Sequence, residues 1–289
     1  MRYQKTTPYL FIAPMITGLI LFRLGPIIAA FFISFTKWNV RTAPEFLGLE
    51  NYQELLSNDT FWLVLRNTLV FAAVYVPGAI ALALAMALLV NQKLRGISFF
   101  RGLFFMPYIT SMVAVAMVWS WIFSTRFGVL NNFLSSVFGM SNTAWLREHP
   151  LMVLIVVTIW KTSGFQMMIY IAGLQGIPPH LYEAARIDGA NRWQQFRHIT
   201  IPMLTPITFF VLIFSIIGAF RTFEVTFAMT GGGPLNQSTT LAYYIYKNAF
   251  VFNRMGFASS AAYALMLIVG VITVLNFYGR RRWVIQDTY

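Results

Sequence analysis

The chain has no cysteine among its 289 residues. A disulfide framework and a cysteine-ligated metal site are therefore excluded. Histidine is almost as scarce. His149, His180 and His198 are the only three and lie far apart, which argues against a histidine-rich metal centre. Charge is the next shortage. Asp, Glu, Lys and Arg make up 10% of the chain, against about 25% in a soluble domain. A water-facing surface is not built at that density. Acidic residues number nine, mostly in loops, and no carboxylate pair sits where acid–base catalysis would need one. No Gly-x-x-x-x-Gly-Lys-Ser/Thr loop is there to cradle a nucleotide. Ser/His/Asp order and His-Glu-x-x-His are missing too. A membrane-embedded enzyme is thus disfavoured.

Apolar residues are what the chain has in excess, at 58% and in long uninterrupted runs. A helix needs about 20 apolar residues to cross a bilayer. Six segments meet that length: residues 10–35, 67–90, 103–123, 152–174, 203–223 and 259–277. The expected fold class is all-α, an integral membrane protein of six transmembrane helices. The basic start before the first run resembles a signal peptide. No small-x-small cleavage pattern comes after it, however, so the run is read as a retained first helix.

The net charge is +12. The basic residues lie between the apolar runs and do not form one stripe interleaved with aromatics. That favours contact with membrane lipid and gives no sign of nucleic acid. Cytoplasmic loops collect Lys and Arg. One side holds Arg2, Lys5, Lys93, Arg95, Arg101, Arg186, Arg192, Arg197, Arg280, Arg281 and Arg282, eleven in all. The other holds Lys37, Arg41, Arg66, Arg126, Arg147, Arg221, Lys247 and Arg254, eight over longer segments. Both termini are therefore expected in the cytoplasm. The outer connections, 37–65 and 221–258, are too short for a domain of their own. The second contains Gly231-Gly232-Gly233-Pro234, which cannot continue a helix. One membrane domain over 1–289 is expected, with a cytoplasmic loop over 176–202.

That loop carries the most information. Pro178 and Pro179 suit the start of a short helix. Residues 182–187 can form one and a half turns, and Gly189 permits a sharp change of direction. A second amphipathic piece covers 191–199, and Pro202 restarts the chain into the membrane. Read on physics alone, this is a re-entry loop in the headgroup region, anchored by Trp193 and its arginines. It also suits a docking element, because Ala184 and Ala185 allow close approach and Glu183 offers a charge for Arg or Lys.

Glu183-Ala184-Ala185, Gly189, Ile199, Ile201 and Pro202 stand at the spacing of the EAA motif, so the chain resembles the permeases of bacterial ABC importers. Ile201 replaces the usual Leu and keeps the position apolar. Residues 172–178, Phe105-Met106-Pro107-Tyr108, Thr230-Gly231-Gly232-Gly233-Pro234 and the Arg280-Arg281-Arg282 ending are similar to the carbohydrate-uptake group, maltose-F or glycerol-phosphate-A type. The resemblance implies a type I (MetI-like) permease fold with no catalysis of its own. It implies a second homologous permease, two ATPase subunits that use ATP and Mg, and an external solute-binding protein. This chain would bind no cofactor, and its first helix would wrap the partner permease. Glu183, Ala184, Ala185 and Gly189 would form the coupling helix seated on the ATPase. Tyr108, Ser111, Met112, Lys161, Thr162, Phe165, Ser215, Ala219 and Thr222 would line the substrate path.

Two charges interrupt the apolar runs. Arg23, before Gly25-Pro26, is read as snorkelling or interhelical hydrogen bonding at a kink. Lys161 is expected to face the pore and select an acidic or phosphorylated substrate. A neutral oligosaccharide stays equally open, because an ammonium also donates to hydroxyls. The competing class is an ion-coupled transporter acting alone, which is expected to carry midplane carboxylates. The apolar runs have none, and Glu224 falls at the outer end of the fifth.

Overall fold

A computed structural model describes residues 7–92 and 95–280. Arg2, Lys5, Lys93, Arg281 and Arg282 of the orientation argument lie outside the described residues. The chain divides into two compact units. One comprises residues up to 61 together with 244–267, and the other 62–243 with the residues from 268 on.

The first unit opens with α1 (Thr7–Leu19), a π-helical turn (Ile20–Leu24) and α2 (Gly25–Ile33). Pro26 has no N–H to give the preceding turn, so the ladder slips there by one residue. Arg23 sits exposed in that turn. This first span buries none of its apolar window, and Phe11 and Phe22 are each 81% exposed. Such a surface is compatible with lipid or another apolar helix and not with water. A short antiparallel ladder comes next, β1 (Thr36–Lys37) with β2 (Glu45–Phe46), and then α3 (Glu50–Ser57). Asn51 on α3 is buried and donates to the carbonyls of Ser34 (2.8 Å) and Thr36 (2.9 Å). The unit is completed by the start of α16 (Met255–Arg280). A Cβ on Gly256 would overlap the Thr36 carbonyl oxygen, so only glycine fits that approach.

The second unit is a helical bundle. It contains α4 (Asp59–Val90) from Trp62 on, α5 (Ile97–Ile109), α6 (Met112–Ile122), α7 (Val129–Phe138), α8 (Trp145–Glu148) and α9 (Pro150–Gln175). Next come α10 (Pro179–Ile187), α11 (Arg192–Gln195), a π-helical turn (Phe196–Thr200), α12 (Ile201–Met203), α13 (Thr205–Phe220) and α14 (Glu224–Met229). The short α15 (Leu241–Tyr246) straddles the division between the units. Ala79, Ala83 and Ala87 repeat every fourth residue along α4 and are fully buried. Small residues on one stripe let helices approach where no hydrophobic force separates protein from lipid. Buried hydroxyls and amides add cross-links: Tyr75 donates to Thr162 (3.1 Å), Tyr170 to Thr208 (3.2 Å) and Gln166 to Ser215 (3.0 Å).

Four helices are long and apolar enough to span a bilayer, and two bent pairs bring the number to six among the described residues. The single runs expected at 103–123 and 203–223 are both broken. α5 and α6 meet at 98°, and the run Arg192–Met203 meets α13 at 61°. In the first case Thr110 and Ser111 are extended just after Pro107. In the second, Pro202 and Pro206 flank Leu204. Proline removes a ladder donor and crowds the preceding turn, so both breaks fall where it weakens the helix.

Candidate functional site

The loop after α9 builds a helix–turn–helix by short-range rules. Pro178 is extended and Pro179 opens α10. At the other end Gly189 adopts φ +78°, a left-handed conformation open to glycine at little cost. The Ala190 N–H donates to the Ala185 carbonyl (2.8 Å) and the Gly189 N–H to that of Arg186 (3.1 Å). This pair of bonds is a Schellman closure. Asn191 then caps α11: its side chain accepts from the Gln194 N–H (2.9 Å), while the Gln194 side chain accepts from the Asn191 N–H (2.8 Å). Both orphan donors are satisfied by that reciprocal box.

One face of this hairpin is anchored. Leu181, Tyr182, Ile199 and Met203 pack on the buried cluster around Leu174, Ile177 and Leu204. The Tyr182 hydroxyl also bonds Thr200 (2.9 Å). The other face is free: Glu183, Ala184, Ile187 and Trp193 are exposed, Ile187 to 87%. Between the two pieces runs a groove of about 330 Å³ touched by Ala185, Gly189 and His198. The exposed tip is thus apolar beside a carboxylate.

The second feature is a cavity of about 240 Å³ within the bundle unit. Met112, Lys161, Thr162 and Thr222, four of the nine path residues, line it together. Thr158, Arg221 and Glu224 line it as well, and sequence reasoning misses all three. Thr158 stands one turn before Thr162, a spacing that a helical reading of the fourth run could have used. Arg221 and Glu224 read in the sequence as loop and span-end residues. The chain instead turns there, from the C-cap of α13 into α14, and both charged residues, though exposed, border the cavity.

The remaining path residues divide. Tyr108 stacks on Phe165 with ring centres 4.5 Å apart, and Phe165 packs in turn on Phe214. Ser111 occupies the N-cap position of α6 at the break, without a side-chain capping bond. Ser215 and Ala219 are fully buried inside the bundle. Ser215 donates to the Val211 carbonyl (2.7 Å) and accepts from Gln166, so its hydroxyl is occupied.

Lys161 is also occupied. Its ammonium donates to the carbonyls of Pro107 (3.1 Å), Tyr108 (3.1 Å) and Thr110 (2.6 Å) at the C-terminal end of α5. An ammonium has three donors, and all three have a carbonyl. In the next turn of α9, a Cβ on Gly164 would overlap the Phe104 carbonyl oxygen, so the two backbones touch.

Residues 62–280 match the family model of the binding-protein-dependent transport system inner membrane component. The chain belongs to that family. A Bacillus subtilis (strain 168) protein named as the probable ABC transporter permease YesP is 37% identical over 98% of this chain and 93% of its own length. The lactose transport system permease LacF of Rhizobium radiobacter is 35% identical over 97% and 96%. Among solved structures, a bacterial ABC transporter involved in import of the acidic polysaccharide alginate superposes with a TM-score of 0.82. It covers 95% of this chain and 94% of that one at 25% identity. The fold is thus that of an ABC importer permease, and the chain is a membrane-spanning transport component and not an enzyme.

Proposed function

We propose that the chain is the permease subunit of an ATP-driven saccharide importer, forming half of the translocation path. The exposed Glu183–Gly189 face, held rigid on an anchored hairpin, carries this reading. It has the small residues, the carboxylate and the apolar tip that a coupling contact needs, and the family supplies the class of machine. Glu183, Ala184, Ala185 and Gly189 couple to an ATPase, which holds the ATP and Mg. The loop over 176–202 and both termini face the cytoplasm of the bacterial inner membrane. The assembly is completed by a second homologous permease, two ATPase subunits and an external solute-binding protein.

The substrate is a sugar, an oligosaccharide or a related derivative. Relatives named for lactose, arabinooligosaccharides and trehalose/maltose support that class. The chemistry of the cavity agrees: Thr158, Thr162 and Thr222 supply hydroxyls, Met112 an apolar wall, and Arg221 and Glu224 both signs of charge. Sugar hydroxyls take up such donors and acceptors. Tyr108 and Phe165, stacked beside Lys161, belong to the same wall of the path.

Co-expression and pull-down test the reading. An ATPase subunit is expected to co-purify with the wild-type chain and to be lost on Glu183→Lys. Ion-driven sugar uptake by the purified chain alone in liposomes would show instead a secondary transporter acting by itself, and would end the importer reading.

A further inference from the structure

The last carbonyls of a helix have no intrahelical partner, and inside a bilayer no water replaces one. α5 ends at such a place. Thr110 (ψ 143°) and Ser111 (ψ 133°) are extended and take the chain out of the helix, leaving the carbonyls of Pro107, Tyr108 and Thr110 to be satisfied from elsewhere. The three hydrogen bonds from Lys161 do so. A cation at a helix C-terminus is favoured by the helix dipole as well. The same chemistry recurs where Arg101 donates to the Val90 carbonyl at the end of α4 (3.0 Å).

The consequence differs at α5 because the next helix borders a cavity. Met112, the first residue of α6, is one of its walls. The opposite wall is the stretch of α9 that carries the clamp: Thr158, Lys161 and Thr162 face the cavity, while Gly164 and Phe165 pack on α5. One side chain thus ties the two walls together. We propose that Lys161 is a positioning residue for transport, which fixes the angle of the broken third span, and with it the cavity wall at Met112, by holding the three carbonyls that end α5. It acts through the helix break and does not read the charge of the substrate. Its transport readout rests on the importer reading, whereas its geometric readout does not.

Because the chain has no cysteine, Phe100→Cys on α5 and Met117→Cys on α6, both exposed positions, place two spin labels across the break. The distance between them is measured in the full transporter, assembled with cysteine-free partner subunits in lipid nanodiscs. The wild type and Lys161→Arg are expected to give one narrow distance, and Lys161→Met a displaced or broadened one. Uptake of maltotriose, arabinotriose and trigalacturonate is measured in parallel on the unlabelled proteins. Lys161→Met is expected to lower turnover about tenfold for every saccharide the wild type carries, with their ranking unchanged. If Lys161→Met does not assemble, Lys161→Gln, whose amide keeps two donors, takes its place in the same comparison. Superposable distances in wild type and variant would overturn the proposal. So would a change in saccharide ranking without a general loss of turnover. If the wild type carries no saccharide, the importer reading fails, and the distance measurement alone decides the role of Lys161.

Discussion

Two of the sharp changes of direction in the bundle unit are made by opposite means. At Gly189 the turn is closed by its immediate neighbours: a left-handed glycine, two backbone bonds and the Asn191 box, all within residues 185–194. At Thr110–Ser111 the turn is open. The carbonyls exposed there are closed by Lys161, which lies 51 residues along the chain from Thr110. The first turn keeps its shape whatever surrounds it. The second exists only while α9 is in place beside it. A self-closed turn suits a rigid element that must transmit force, and a remotely closed one ties a cavity wall to the helix beside it.

The largest effect is expected where the remote closure depends on helix contact. Gly164→Leu drives a side chain into the Phe104 carbonyl, which is backbone and cannot swing aside. Overpacking of that kind costs about 3 kcal/mol or more. It forces α9 off α5 and takes the Lys161 ammonium away from all three carbonyls. The measurement is loss of the folded protein from detergent extracts, read by size-exclusion chromatography. A methyl group on Gly102 would meet no packed neighbour within 4 Å, so Gly102→Ala is the control that retains wild-type yield. Normal yield of Gly164→Leu would mean that the α5–α9 contact is not what holds the break.

The same contrast separates the features legible in the sequence from those that are not. The hairpin can be read because its determinants are consecutive: Pro178-Pro179 to start, Gly189 to turn, Asn191 to restart. The spans can be read because bilayer thickness demands long apolar runs. The break in the third span cannot. Pro107 signals a weakened helix, but the 98° angle depends on a partner fifty residues away. The carbonyl partners of Lys161 are hidden for the same reason, since a sequence does not say which carbonyls an ammonium will meet. The burial of Ser215 and Ala219, path residues by resemblance, is not legible either, because the face a helix shows is set by its neighbours. Arg221 and Glu224 escape notice because the end of an apolar run looks like the edge of the membrane, whereas the chain folds back there as α14.

The local turn gives a smaller and sharper effect. Gly189→Val places a β-branched residue at φ +78°, where Cβ meets the neighbouring carbonyl at a cost of about 1–2 kcal/mol. Beyond its two chain neighbours, no atom lies within 4 Å of the added carbon, so the bundle stays folded and only the hairpin shifts. ATPase subunit recovered in the pull-down is expected to fall about tenfold, while the thermal midpoint of the bundle is unchanged. Gly189→Asn, which tolerates the left-handed region, is expected to retain most of it. Equal recovery for Val and Asn would show that backbone conformation at 189 does not govern docking.

The smallest effect separates the two halves of the hairpin. Asn191→Ala removes the side chain that caps α11, for about 1 kcal/mol, but leaves Gly189 and both Schellman bonds intact. Gln194→Ala removes the reciprocal partner. If the box acts as a unit, the double variant costs no more than the larger single one, since neither bond stabilises fully without the other. Because Tyr182–Thr200 and the packing of Leu181 and Ile199 on the buried cluster still anchor the element, the loss is confined to the Arg192 end of the second helix. Faster amide exchange at Arg192, Trp193 and Gln194, with unchanged exchange at Tyr182 to Ile187, is the expected pattern. Equal acceleration on both sides of Gly189 would mean that the hairpin opens as one piece and that its two closures are not independent.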